Sequence, residues 1–198
     1  MKISYLAVLA LAALPVALDA QQPNPGQQAN PITTALRNRT LALRRNLAQA
    51  FDSIPADKFS YKPTPAQQSI GFIAQHLAGD NYFFCSDFGA MKPTRSEKDT
   101  NTPDSVKATW PKDTLVAKLK ESITFCENAM GQLDDAKLSE TFQVTARGTT
   151  QSVPRFNRVL GHALDLADHY SQLANYMRLN GILPPTALPR PQRGGGGR

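Results

Sequence analysis

The sequence predicts an all-α fold, a four-helix bundle with long loops between the helices. Three observations carry this. Four stretches keep apolar residues at helical spacing, each over about 20 residues or more. Polar connections, the first two proline-bearing, separate them. No segment alternates as a long strand, and nothing repeats internally. Four amphipathic helices of this length bury their apolar stripes most simply against one another.

The first helix begins near Ile32. Leu36, Leu43, Leu47, Phe51 and Ile54 fall on one face, the arginines lie elsewhere, and Pro55 ends the run. Residues 55–66, with Pro55, Pro63 and Pro65, read as an extended loop. The second helix is expected from about Ser69 to Phe88, with Ile73, His76, Leu77 and Phe84 inward. Residues 89–112 hold Pro93, Pro103 and Pro111 and form a long connection, which Trp110 is placed to pin. The third helix is expected from Asp113, a good N-cap, to Leu133, with Leu115, Leu119, Ile123, Cys126, Met130 and Leu133 in register. Residues 134–151 are irregular, and Phe142, Val144 and the Gly148 turn suit a short hairpin. The fourth helix is expected to start near Ser152, with Pro154 in its first turn, and to stop at Gly181 after Asn180.

The ends of the chain differ from the middle. Lys2 precedes an uncharged apolar run from Ile3 to Leu18, too short and alanine-rich for a membrane span, and Ala20 suits signal-peptidase cleavage. The expected organisation is a leader at 1–20, a Gln-, Pro- and Asn-rich disordered linker at 21–30, the bundle at 31–186 and a disordered Pro, Arg and Gly tail at 187–198. An exported protein, periplasmic or secreted and without a stable membrane anchor, is the consequence. The net charge is +6, with Arg37, Arg39, Arg44 and Arg45 contributing. These arginines are read as a solvated helix face. The chain has no recognition-helix signature, and no nucleic-acid partner is expected.

Export favours a disulfide between the two cysteines, Cys85 and Cys126. Closing that loop would contribute roughly 4 kcal/mol in the chain-entropy model. The spacing matches no zinc motif. Neither cysteine has a basic neighbour to lower its pKa, and Glu127 would oppose a thiolate at Cys126.

All three histidines lie in expected helices. His162, Asp165 and His169 share about 60° of arc on the fourth helix. Asp165 and His169 are four apart and can reach one point, and His76 would join them if the two inner faces meet. Hydrogen-bonded core histidines, or a plain Asp–His charge pair, fit the same spacing. His162 lies two turns from His169, its tip about 10 Å along the axis, and ranks below Asp165 as a ligand.

Several segments, in this order, resemble the DinB superfamily. They are Tyr61-Lys62-Pro63-Thr64-Pro65, the run from Ser69 to Leu77 reading SIGFIAQHL, Asp168-His169-Tyr170-Ser171-Gln172-Leu173, and the closing run from Tyr176 to Pro185 reading YMRLNGILPP. The resemblance covers roughly residues 32–186. It implies a four-helix bundle in which three histidines bind one divalent metal ion, often zinc or nickel. One histidine comes from the second helix, and two, four residues apart, come from the last. His76 matches the first and His169 the last, but the position four before His169 is Asp165. A carboxylate there gives a two-His-one-carboxylate set, or else marks a weakened site. Asp168 and Gln172 are candidates to orient the ligands, and Tyr170 and Tyr176 either line the pocket or simply pack.

Two functional readings follow. The first is a metal-binding bundle with hydrolase or transferase activity on an unknown small-molecule substrate. No dedicated general base stands out, and the catalytic residues stay unknown. Members of the superfamily that use low-molecular-weight thiols work in the cytosol, so export argues against that chemistry. The second is a non-catalytic small-ligand-binding or stress-related bundle with a degenerate metal site. The resemblance also implies pairing into a homodimer through helix faces.

Overall fold

A computed structural model describes residues 29–146 and 148–189 of the chain. The leader expected at 1–20, most of the linker and the tail from residue 190 onward lie outside the described residues. Four long helices form the body: α1 (Pro31–Ser53), α2 (Ile70–Cys85), α5 (Lys112–Gly131) and α7 (Arg155–Leu179). Three short helices, α3 (Glu97–Asn101), α4 (Asp104–Lys107) and α6 (Asp135–Ser139), and a two-stranded hairpin, β1 (Thr141–Ala146) with β2 (Thr149–Pro154), fill the connections. Around the bundle α2 packs on α5 and α7, and α1 packs on α7 and α5. No helix among the described residues is long and apolar enough to cross a membrane.

Each helix end has a local cause. Pro31 opens α1, and the Asp135 carboxylate accepts from the free backbone N–H groups of Ile32 and Thr33 at 3.1 and 2.7 Å. At its other end Ile54 is extended, as the residue before Pro55 must be. Ser69 caps α2 by accepting from Phe72 N–H. Two further N–H groups at that end are taken by the preceding loop, Ile70 by Tyr61 O at 3.1 Å and Gly71 by Phe59 O at 2.8 Å. A Cβ on Gly71 would collide with the Ala108 carbonyl oxygen, so glycine is needed where the loop and α4 crowd the helix. At the end of α7, Gly181 takes φ 72°, and Gly181 N–H and Ile182 N–H donate to Arg178 O and Met177 O.

The main core joins Leu47, Phe51, Ile73, Leu77, Leu119, Leu166, Leu173 and Met177. A second apolar cluster at the far end of the bundle holds Phe88, Met130, Leu133, Leu138 and Val159 around Cys85 and Cys126. Those two cysteines form a disulfide. Trp110 packs against the main core, with the ammonium groups of Lys98 and Lys118 each 5.6 Å from its ring centre.

Several boundaries differ from the sequence reading. The second helix stops at Cys85, and residues 86–88 continue as turns that still bury Phe88. Pro111, not Asp113, precedes the third helix, and Asp113 sits in its first turn. Pro154 closes β2 across from Thr141, and the last helix starts only at Arg155, whose N–H donates to Glu140 O at 2.8 Å. A ladder partner thus claims residues that local helical spacing would have assigned to the helix. The connection at 89–112 carries α3 and α4, each opened by a residue that suits a helix start: Ser96, whose hydroxyl accepts from Asp99 N–H, and Pro103. The hairpin forms as expected, with Phe142 opposite Val153. The arginines do not share one solvated face. Arg39 and Arg45 are exposed, Arg37 donates to Met130 O and Leu133 O at the end of α5, and Arg44 is buried.

Candidate metal centre

The helices α2 and α7 run antiparallel. His76, early on α2, meets His169, late on α7, while Cys85 at the end of α2 meets His162 near the start of α7. On α2, His76 and Asp80 are four residues apart, and on α7 so are Asp165 and His169. Each pair therefore shares a face, and the two faces meet. One ligand atom from each of these four side chains lies within 4.8 Å of every other. His76 Nε2 is 3.1 Å from Asp80 Oδ2, and His169 Nε2 is 3.4 Å from Asp165 Oδ1. The two imidazoles stand edge to face, 4.9 Å between ring centres. Side-chain exposure runs from 11% at His169 to 32% at His76, so the cluster reaches solvent.

Electrostatics mark this as a place that wants positive charge. The Asp165 carboxylate, by hydrogen bonding, holds His169 above the usual imidazole range. Burial, together with the like charge of Asp165, pushes Asp80 above the usual carboxylate range. Asp165 Oδ2 is buried with no hydrogen-bond partner among the described residues. A buried carboxylate oxygen without a donor is costly, and a cation beside it would remove the cost. Two imidazoles and two carboxylates are a suitable donor set for zinc or nickel.

The supporting contacts are specific. Gln172 Oε1 accepts from His169 Nδ1–H at 3.3 Å, which leaves the lone pair of a neutral His169 on Nε2, facing the cluster. The Gln172 amide in turn donates to the Tyr176 hydroxyl at 3.2 Å. Tyr176 is buried and packs edge-on against Tyr61, and the Tyr170 hydroxyl donates to Thr186 Oγ1, pinning the chain that follows α7. Asp168 is exposed and makes no such contact with the cluster. Phe72 stacks on His76, 5.9 Å between ring centres, and its side chain also lines an open cavity of about 830 Å³ with Phe59, Lys62 and Trp110.

The structure thus brings His76, Asp165 and His169 together and adds Asp80, which the sequence reading missed. The signal was present: Asp80 stands four after His76, as His169 stands four after Asp165. His162 belongs elsewhere. It is fully buried, and its Nε2–H donates to Asn81 Oδ1 at 2.9 Å. Burial first, and the nearby Arg44 cation second, lower its pKa to about 3.

Comparison with known proteins agrees on the fold. A crystal structure of a DinB-like protein from Bacillus cereus superposes with a TM-score of 0.60 at 16% identity, covering 77% of this chain and 95% of that one. A conserved protein from Enterococcus faecalis gives 0.55 at 15% identity, covering 75% and 96%. A mycothiol-dependent maleylpyruvate isomerase gives 0.56 at 13% identity, and the match spans 73% of this chain but 60% of that larger one. No curated protein matches the chain in sequence. The sequence pattern of the DinB superfamily matches residues 39–173, most of the bundle, and the chain belongs to that superfamily.

Proposed function

We propose that this chain is an exported protein that binds one divalent metal ion, zinc or nickel, through His76, Asp165 and His169, with Asp80 as a further carboxylate. One observation carries the reading: four ligand atoms from two helices converge within 4.8 Å of one another, beside a buried carboxylate oxygen that lacks a donor. Asp165 therefore stands in a ligand position rather than marking a lost site. Metal-assisted hydrolysis or group transfer on a small molecule is the activity class that suits such a centre. When bound, the ion supplies a Lewis acid that lowers the pKa of a coordinated water.

The protein's own residues do the rest. Gln172 holds the His169 ring in one tautomer, and Tyr176 holds Gln172. Asp80 beside His76 would give the ion a second carboxylate, and binding would relieve the burial and the like charge of Asp165 that disfavour its ionised form. Phe72 joins the centre to the open cavity, where an apolar part of a substrate can rest. Export supports hydrolysis over transfer from a cytosolic thiol. The thiol dependence in the name of one structural neighbour is, at 13% identity, evidence about fold and not substrate. The expected leader at 1–20 and the Cys85–Cys126 bridge support the exported state.

Elemental analysis of the purified protein tests the reading. About one equivalent of zinc or nickel is expected, and His169→Ala should abolish it. Asp165→His, which restores the residue typical of the superfamily, should keep or tighten binding. A wild-type chain that stays empty after incubation with both ions would overturn the proposal, and the non-catalytic alternative would then stand.

A further inference from the structure

A second cluster, spread over α2, α5 and α7, uses chemistry that the open centre does not. Cys85 on α2, Cys126 on α5 and His162 on α7 are all fully buried, and one ligand atom from each lies within 4.8 Å of the others. His162 Nε2 is 3.9 Å from Cys85 Sγ and 3.8 Å from Cys126 Sγ. In a tetrahedral zinc site, with bonds of about 2.3 Å to sulfur and about 2.0 Å to nitrogen, sulfur and nitrogen ligands stand about 3.5 Å apart. The imidazole is therefore already near the spacing that a shared ion would need. A fourth donor is also in place, because Asn81 Oδ1 lies 2.9 Å from the same nitrogen and is held by the Asn81–Ser122 hydrogen bond at 2.9 Å.

Two features show that this core can accommodate the reduced cysteines. Cys126 Sγ is 3.2 Å from the Asn81 carbonyl oxygen, an acceptor that a thiol can use and a disulfide sulfur cannot. Arg44 brings a buried cation whose Nε and Nη1 have no hydrogen-bond partner among the described residues. The Arg44 charge reaches His162, beside both sulfurs, and a free thiolate there would add to the Glu127 carboxylate in offsetting it.

We propose that Cys85, Cys126 and His162, with Asn81 Oδ1 as fourth donor, form a second divalent-metal site in the reduced chain. The disulfide and the ion are then alternative closures of one core. Reduction breaks the S–S bond: a dithiol gives up two electrons and two protons, leaves as its own disulfide, and two protein thiols form. On metal binding the two thiols release their protons, two sulfur–metal bonds form, and His162 shifts its ring proton from Nε2 to Nδ1. Which closure the protein carries depends on the redox state in which it folds.

The test uses the full chain with the open centre silenced by His76→Ala and His169→Ala. The protein is reduced with a phosphine without oxygen and titrated with cobalt(II). One equivalent should bind, with a thiolate-to-cobalt charge-transfer absorption that the oxidised chain lacks. Cys85→Ser should weaken that absorption. His162→Gln should weaken binding by more than the roughly 10–100-fold that loss of a supporting contact costs. Should either variant fold poorly, the cadmium-113 resonance of the unsubstituted site reads the number of sulfur donors directly, and two are expected. Three results would overturn the proposal. They are a reduced, folded chain that takes up no cobalt, cobalt bound without the thiolate absorption, and a reduced chain that unfolds and is not restored by saturating metal.

Discussion

Two polar clusters share α2 and α7, about two turns apart on α7, and they have opposite characters. The cluster of His76, Asp80, Asp165 and His169 reaches solvent, and carries two carboxylates and a buried oxygen without a partner. The cluster of Asn81, Ser122 and His162 with the Cys85–Cys126 bridge is dry, and its hydrogen bonds close on themselves. His162 donates to Asn81, Asn81 to Ser122, and Ser122 to Leu119 O. Phe84 and Phe88 wall in the His162 ring, 5.8 and 5.7 Å between ring centres. The difference teaches that a polar group's role follows from whether its neighbours complete its hydrogen bonds. With the disulfide closed, a completed network fixes the core, and an incomplete one beside solvent is where a ligand can enter.

The largest effect should separate the clusters by stability. Replacing both cysteines, as Cys85→Ala with Cys126→Ala, should lower unfolding free energy by roughly 2–5 kcal/mol in urea titration. Zinc or nickel affinity at the open centre should hardly move. A large loss of affinity would show that the two clusters are coupled and break the comparison.

The next effect is a pH dependence in which the dry cluster opposes the open one, whose raised His169 and Asp80 favour the folded chain at lower pH. The pKa of His162 is lowered to about 3 in the folded chain, against about 6.5 when unfolded. The unfolded state therefore binds the extra proton between these values. Stability is full above about pH 6.5 and falls as pH drops toward 3, with a loss of roughly 2 kcal/mol at pH 5 from this group. His162→Gln should cost stability at neutral pH and flatten the profile between pH 6.5 and 5. An unchanged slope in denaturation measured across that range would assign the dependence to other groups.

What the sequence revealed, and what it hid, follows the same division. Apolar residues at helical spacing, from Leu43 to Ile54 and from Leu115 to Leu133, specify the long helices, because burying one stripe is a local pattern with a global answer. The face holding Asp165 and His169 was legible for the same reason, and so was the displacement of His162 by two turns along the axis. Depth was not legible. Arg44 and Arg45 are neighbours in sequence, yet one is buried and the other exposed, since that depends on which helix lies opposite. Asp80 was missed because a carboxylate on an amphipathic helix reads as solvated surface until a second helix sets another carboxylate beside it. The start of α7 was misplaced because β1, not local propensity, decides that residues 149–154 form a strand.

Within the open cluster, Asp80→Asn should separate binding from stability. Burial and the nearby Asp165 charge both disfavour ionised Asp80, so the metal-free chain should keep or gain stability in thermal denaturation. Metal affinity measured by calorimetry should fall. A destabilised metal-free chain with unchanged affinity would place Asp80 in the structural framework, like Asn81 one residue on.

The smallest effect tests whether the open cluster has support of its own. Gln172 touches the site only through His169 Nδ1 and passes the contact to Tyr176. Gln172→Ala leaves every candidate ligand in place but frees the His169 ring to turn and to change tautomer. Loss of such a contact costs about 10–100-fold in metal affinity, and the lower end is expected here, because the Asp165 contact still restrains Nε2. The pH at which protons displace the metal should also move down, since the Gln172 contact is one of those that raise the His169 pKa. Gln172→Glu keeps an acceptor toward Nδ1 and should restore most of the affinity. If it does not, Gln172 acts through Tyr176 and packing rather than by orienting His169.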